Sequence, residues 1–373
     1  MKKKKIEIFG LIINIVLSIL FTVILIFSLN SHLNSIPDEQ EIILMLIFFL
    51  SIYITMYVQL IIHELGHLIF GLMTGYKFSS FRIGNIMLLK TGGKLKIKKL
   101  TIAGTAGQCL MSPPDLKDNK MPVIIYNLGG ALLNIISCII FFIIFLFIKD
   151  NDFISVIFEL SIAYGIYFAA LNAIPMKTGT IDNDGYNALS LKINPDAQKA
   201  FWIQLKINEM QSKGTRLKNM PDEWFYIPKP IEMKNNLIAS IAVFTCNRMM
   251  DQHNFEDANL RMKQILRAKT AIIGIHRNLL VCDRIFCELI NDNKNTAKKL
   301  MTPELQNFIK SMKDFPSVIR TEYTYALLCE EDMDKANQLK KKFIERGKNY
   351  PYQSDIRSEK ELIDIATNIK KNK

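Results

Sequence analysis

From Ile42 to Ile62 the chain runs without one charged side chain, then meets His63, Glu64 and His67, and turns apolar again at Leu68-Ile69-Phe70. A run of about 20 apolar residues is long enough to cross a bilayer as a helix. Ionisable groups there are costly and need a partner. On a helix, residues four apart share a face. His63 and His67 therefore offer two imidazoles to one metal, and Glu64 lies beside them, placed to take a proton from water. In a charged, exposed helix such an H-E-x-x-H run could be accidental. Framed by apolar residues, it has function as its default reading.

Three further apolar runs lie at Ile6 to Leu29, Met121 to Ile148 and Phe153 to about Pro175, the last interrupted only by Glu159. The first follows Met1 to Lys5 and resembles a signal peptide. It is longer than a usual h-region and lacks an A-x-A-like site, so it reads as an uncleaved transmembrane helix. Lysine and arginine give the orientation. Lys2 to Lys5 hold the N-terminus in the cytoplasm, and Ser31 to Glu41 carry no Lys or Arg. The segment between the second and third runs holds Lys77, Arg82, Lys90, Lys94, Lys96, Lys98, Lys99, Lys117 and Lys120, against Asp115 and Asp118. Both termini are then expected to be cytoplasmic, in a multi-pass protein of a bacterial cell membrane.

The formal net charge of +12 fits basic cytoplasmic loops and an anionic membrane surface. It does not point to nucleic acid: no DNA- or RNA-binding motif is present, and basic residues are not interleaved with aromatics. Cys138 lies in an apolar run and reads as a small apolar residue. Cys109, Cys246, Cys282, Cys287 and Cys329 fall in expected cytoplasmic segments, which argues against a disulfide framework.

A catalytic zinc usually has three protein ligands and an open position. His32 is expected on the far side of the membrane, and His253 and His276 in the soluble tail, so a carboxylate is the better third ligand. Glu159 sits near the outer end of its span, away from His67. Asp182 and Asp184, beyond Asn172-Ala173-Ile174-Pro175, can both approach the histidines.

At these residues the sequence resembles the site-2 protease family of intramembrane zinc metalloproteases, over about residues 41–190. His63 to His67 matches that family's H-E-x-x-H helix. Gly130-Ala131-Leu132-Leu133-Asn134 resembles its G-P-x-x-N-like motif, with Ala in place of Pro. Asn172-Ala173-Ile174-Pro175 and Asp184-Gly185 resemble its N-x-x-P stretch ending in D-G, with a longer loop, Met176 to Ile181, between them. The resemblance implies zinc as cofactor, Asp184 as third ligand, and a role for Asn172 and Asn134 in binding substrate or stabilising the oxyanion. Gly129, Gly130 and Ser137 around Asn134 also make a small-residue packing face. Asp182 stays a rival to Asp184; Gly185, which lets the backbone turn sharply, favours Asp184.

Phe78 to Gln108 alternates loosely around Thr91-Gly92-Gly93, a hairpin signal. Ala103-Gly104-Thr105-Ala106-Gly107 follows, small residues that permit close backbone approach. In the family, a sheet here presents an edge strand to an extended substrate; a basic hairpin resting on anionic lipid is compatible with that. Beyond a linker at 191–230, residues 231–373 read as helical pairs. Ala258, Ala297 and Ala336 recur evenly in turn-like contexts. This resembles a tetratricopeptide-like array of longer period than the usual 34 or so, fit to bind a protein or peptide partner; a plain helical bundle is the alternative.

The expected architecture is membrane α-helical. Residues 1–40 form an N-terminal transmembrane helix and external loop. Residues 41–190 form a three-helix metalloprotease core with spans at about 41–75, 121–148 and 153–175. That core carries a cytoplasmic β-hairpin insertion, and an all-α soluble tail follows. The expected function is hydrolysis of a peptide bond within or next to a membrane-embedded protein or peptide substrate. The alternative is an inactive membrane anchor presenting the helical tail.

Overall fold

The computed structural model describes residues 2–101, 105–118, 120–177 and 182–372, with side chains from residue 8 onward. It falls into two compact units, one of Met1–Ile83 and Ala106–Gln198, the other of Gly84–Thr105 and Lys199–Lys373.

The first unit is built on four helices long and apolar enough to cross a membrane: α1 (Lys2–Leu33), α2 (Glu41–Met73), α3 (Ile124–Ile148) and α4 (Asp152–Ala173). Their outer surfaces expose Phe27, Ile42, Leu46, Tyr53 and Phe147, as suits helices solvated by lipid. The protein is thus a multi-pass membrane protein. Helices α2, α3 and α4 pack mutually, and α1 lies mainly on α4. At one end the contact is apolar, with Leu44, Phe48, Val156 and Leu160 buried beneath Leu25, Leu29 and Leu33 of α1.

Where α2 passes α3 the helices touch through backbone. A Cβ on Gly66 would overlap the carbonyl of Gly129. Small residues allow this approach, and it is what brings α3 against the histidine face of α2. Along α2 the buried residues include Ser51, Thr55, Gln59 and His63, a polar stripe at a spacing of four that faces α3 and α4.

After α2 come β1 (Lys77–Ile83), β2 (Ile86–Thr91), β3 (Lys94–Lys99) and β4 (Gly107–Ser112). In the first unit β1 pairs antiparallel with β4, with a register irregularity between Phe78 and Ser80. In the second, β2 and β3 form the expected hairpin, Thr91 facing Lys94 across Gly92 and Gly93 at φ 57° and 78°. Two successive left-handed residues are what a tight two-residue hairpin turn requires. On one face of this hairpin Met87 and Leu89 pack with Leu100 and Tyr350, so the hairpin belongs with the helical tail. Of the small-residue run, Ala103 and Gly104 lie outside the described residues.

The stretch expected as a linker, 191–230, departs from that reading. It holds α6 (Pro195–Ser212) and two short 3-10 turns. Ala197, Ala200, Ile203 and Ile207 are fully buried, an apolar face at helical spacing that Lys, Asn and Gln in between obscure. The tail continues through α7 (Asn236–Asp251), α8 (Phe255–Arg267), α9 (Gly274–Ile290), α10 (Lys294–Leu300), α11 (Pro303–Ser311), α12 (Pro316–Tyr325), α13 (Met333–Asn349) and α14 (Gln353–Lys371). The even spacing of Ala258, Ala297 and Ala336 has a counterpart in this unit. Each alanine is buried, and each follows at the same distance a residue in left-handed conformation: His253, Asp292 and Glu331. A helix, a left-handed cap and a second helix thus repeat. Arg320, fully buried, ties α12 to α9 and α14 through Asp283 and Glu359.

Candidate metal centre

His63 and His67 lie one turn apart on α2, with their Nε2 atoms 3.3 Å from each other. Asp184, the first residue of α5 (Asp184–Ile193), brings its Oδ2 to 3.1 Å from His63 Nε2 and 3.3 Å from His67 Nε2. Among the described residues this is the one group of three or more potential ligands whose donor atoms all lie within 4.8 Å of one another.

The far side of each ring fixes the tautomer. His63 Nδ1 lies 2.9 Å from Asn134 Oδ1, and His67 Nδ1 lies 2.9 Å from the carbonyl of Tyr126. Both partners are acceptors, so each ring keeps its proton on Nδ1 and turns an Nε2 lone pair toward Asp184. Two lone pairs and a carboxylate oxygen facing one point repel unless a cation lies among them. Donor atoms bound to tetrahedral zinc at about 2.0–2.1 Å stand roughly 3.3–3.4 Å apart, close to the separations present. The residues therefore fit a zinc ion.

Glu64, on the same turn of α2, is buried. A Cβ on Gly107, the first residue of β4, would stand 2.5 Å from Glu64 Oε1. Glycine at that position lets the strand pass directly over the carboxylate. Arg82 of β1 is buried and donates to the carbonyl of Gly107 at 3.4 Å.

Asp184 is held from both sides. Asn183 Oδ1 accepts from the amides of Tyr186 and Met176, both at 2.9 Å, and its Nδ2 donates to the carbonyls of Leu171 at 2.7 Å and Ile174 at 2.6 Å. One side chain thus caps α5 and fastens it to the end of α4. A Cβ on Gly185 would overlap the carbonyl of Ala173, so glycine here serves the close packing of α5 against the end of α4; it lies within the first turn of α5 and not at a left-handed bend. Asp182 is elsewhere: its carboxylate lies 3.4 Å from Lys177 Nζ. In the expected extra loop, residues 178–181 lie outside the described residues.

The other site residues divide. Asn134 is fully buried, and both ends of its amide are spent on His63 and Gln59. It holds a histidine and leaves no polar atom for substrate, which corrects the expectation that it meets substrate or oxyanion. Asn172 Nδ2 donates to the carbonyl of Phe168 at 2.9 Å, one turn back. Glu159 accepts from Ser28 Oγ at 2.7 Å and lies 3.1 Å from His32 Nε2, away from the centre.

Sequence reasoning missed Gln59, Tyr126 and Asn183, and had Gly107 only as one of a run of small residues open to close backbone approach, without its place over Glu64. Gln59 left a signal, an amide four residues before His63 in a run of hydrocarbon. Tyr126 left none, because it acts through a main-chain oxygen and through a hydroxyl bonded to the carbonyl of Cys109 at 3.1 Å.

No curated protein matches this chain, and no solved structure does; nor does any comparison support the tetratricopeptide likeness of the tail. One family model matches, that of peptidase family M50, over residues 50–322. The matched stretch begins within α2, takes in its two histidines, β1 to β4, Asn134 and Asp184, and runs on into α12 of the tail. Covering well over half of the chain and carrying the whole candidate centre, the match establishes that this chain belongs to peptidase family M50, the family of the site-2 proteases and of intramembrane metallopeptidases.

Proposed function

We propose that the chain is a zinc endopeptidase that hydrolyses a peptide bond within or next to a membrane-embedded protein or peptide. The observation that carries this reading is the meeting of His63 Nε2, His67 Nε2 and Asp184 Oδ2, with both Nδ1 protons engaged on the opposite side. These three residues would hold the metal. Zinc bound there supplies Lewis acidity toward the scissile carbonyl and makes hydroxide available near neutral pH.

Glu64 takes the proton of the attacking water on a carboxylate oxygen and returns it to the departing amine, so one residue serves as base and then as acid. Its burial keeps bulk water from competing for that proton. Among the described strands of the first unit, β4 pairs with β1 alone. Its other edge is suited to an extended substrate segment, since strand addition presents an unwound peptide bond that a helix would shield. Gly107 marks where along that edge the bond meets Glu64. Asn172, at the C-terminal turn of α4, has an amide oxygen that can accept from a substrate N–H, and a second Nδ2 hydrogen that can donate to an oxyanion. The distribution of Lys and Arg puts both termini on the cytoplasmic side, where the tail is available to a protein or peptide partner.

The test is cleavage of membrane peptides by the purified full chain. A chelator abolishes it and added zinc restores it. Cleavage that persists in a zinc-free, chelator-treated preparation overturns the reading.

A further inference from the structure

Gln59 is fully buried within α2, in a span whose neighbours are hydrocarbon, and no step of the proposed reaction uses it. A buried amide in such surroundings persists only if each of its polar atoms is satisfied. The bonds of Gln59 are complete, and they run in one direction. Its Nε2 donates to the carbonyl of Ser161 on α4 at 2.8 Å and to Ser137 Oγ on α3 at 3.2 Å. The Ser161 carbonyl can only accept, so it dictates which end of the Gln59 amide carries nitrogen. Oε1 is thereby turned toward α3, where it accepts from Asn134 Nδ2 at 2.7 Å. Asn134 Nδ2 also donates to the main-chain oxygen of Gln59 at 3.0 Å.

With two oxygens facing its nitrogen, the Asn134 amide has one orientation, and Oδ1 is the atom left to face His63 Nδ1 at 2.9 Å. We infer that Gln59 sets the tautomer of His63: acting through Asn134, it keeps the imidazole proton on Nδ1 and the Nε2 lone pair directed at the metal position. Without Gln59 Oε1 the Asn134 amide loses one of the two acceptors that orient its nitrogen. In the flipped orientation its nitrogen faces His63 Nδ1, the proton moves to Nε2, and that ring is no longer a ligand. Gln59 is a positioning residue, and it draws α4 into the control of a histidine on α2. The inference rests on the reading of His63, His67 and Asp184 as zinc ligands.

The experiment measures zinc affinity by chelator competition for the full chain in detergent. Loss of an orienting partner of a ligating histidine typically costs about 10- to 100-fold in metal affinity. Gln59→Met, similar in size and unable to bond Asn134, should bind zinc at least ten-fold more weakly than wild type while keeping its helical content. Gln59→Glu, which when protonated can donate to Ser161 and accept from Asn134, should stay within about three-fold of wild type, a loss well short of that range. Thr55→Val removes another buried hydroxyl of the same stripe, one that bonds only within α2 at 2.6 Å to Ser51, and should leave zinc affinity unchanged. In metal-free protein labelled with 15N-histidine, wild type should give an Nδ1–H signature for His63, and Gln59→Met a mixture.

Wild-type affinity in a folded Gln59→Met overturns the inference. So does a loss in Thr55→Val as large as that in Gln59→Met, which would make the effect one of general stability. If Gln59→Met does not fold, Gln59→Asn, one methylene short of Asn134, decides in its place. If zinc binding by wild type is unaffected by His63→Ala, the reading of the centre fails and this inference falls with it. If His63→Ala abolishes binding and Gln59→Met does not weaken it, only the inference fails.

Discussion

Two aspartates two residues apart have opposite surroundings, and side-chain direction decides their fates. Asp184 turns to His63 and His67, and Asp182 turns to Lys177. Asp184→Asn should weaken zinc binding at least ten-fold, about 1.4 kcal/mol or more, and abolish proteolysis. Asp182→Asn should keep its zinc and most of its activity. Zinc content and cleavage of both variants in one detergent check this; a metal-free, inactive Asp182→Asn beside a working Asp184→Asn reverses the assignment. The H-E-x-x-H run and the Asp184-Gly185 pair stood out in the sequence because each is a short spacing that falls within one helix, and the structure brings His63, His67 and Asp184 together. The partners that aim the ligands were not. Asn134 read as a substrate-facing residue because sequence offers no sign of which way a buried amide points. Asn183 gave no sign in the sequence of the four bonds by which it fastens the start of α5 to the end of α4.

Among the elements, the apolar spans were recognisable because a bilayer demands long uncharged helices, and the hairpin because two glycines sit where two left-handed residues are required. Helix α6 was hidden by polar residues around a narrow stripe of Ala197, Ala200, Ile203 and Ile207. The crossing of α2 and α3 depends on Gly66 and Gly129, and no periodicity reveals which glycines touch. Gly66→Ala should force the two helices apart, with a penalty of about 1–3 kcal/mol typical of overpacking. It should also lower zinc affinity, since α3 carries Asn134 and Tyr126. Thermal unfolding and chelator competition are the measurements, and a variant that unfolds at the wild-type temperature contradicts the close approach described here.

For the whole molecule, membrane chemistry and tail stability depend on different groups. In the tail, burial helped by the neighbouring Glu359 pushes the Asp355 carboxyl up to about 7, outweighing hydrogen bonds from Gln211 and Ser354. Its unfolded value is about 3.9. The stability it contributes is therefore complete below about pH 4 and is lost as pH rises through about 7. Asp355→Asn should melt above wild type at pH 8, with the gap closing toward pH 4; an equal gap at both pH values contradicts the assignment. The tail repeat was partly legible, because its alanines and caps recur evenly, but the fold built on it was not, because helix packing angles leave no mark in spacing. The central claim is that a zinc held by α2 and α5 works with Glu64 as its base. Zinc stoichiometry and membrane-peptide cleavage by purified full-length Glu64→Gln, beside the His63→Ala/His67→Ala double variant, test it most directly. The account predicts one zinc per chain and no cleavage for Glu64→Gln, and neither zinc nor cleavage for the double variant. Stoichiometric zinc in the double variant, or wild-type cleavage by Glu64→Gln, would contradict it.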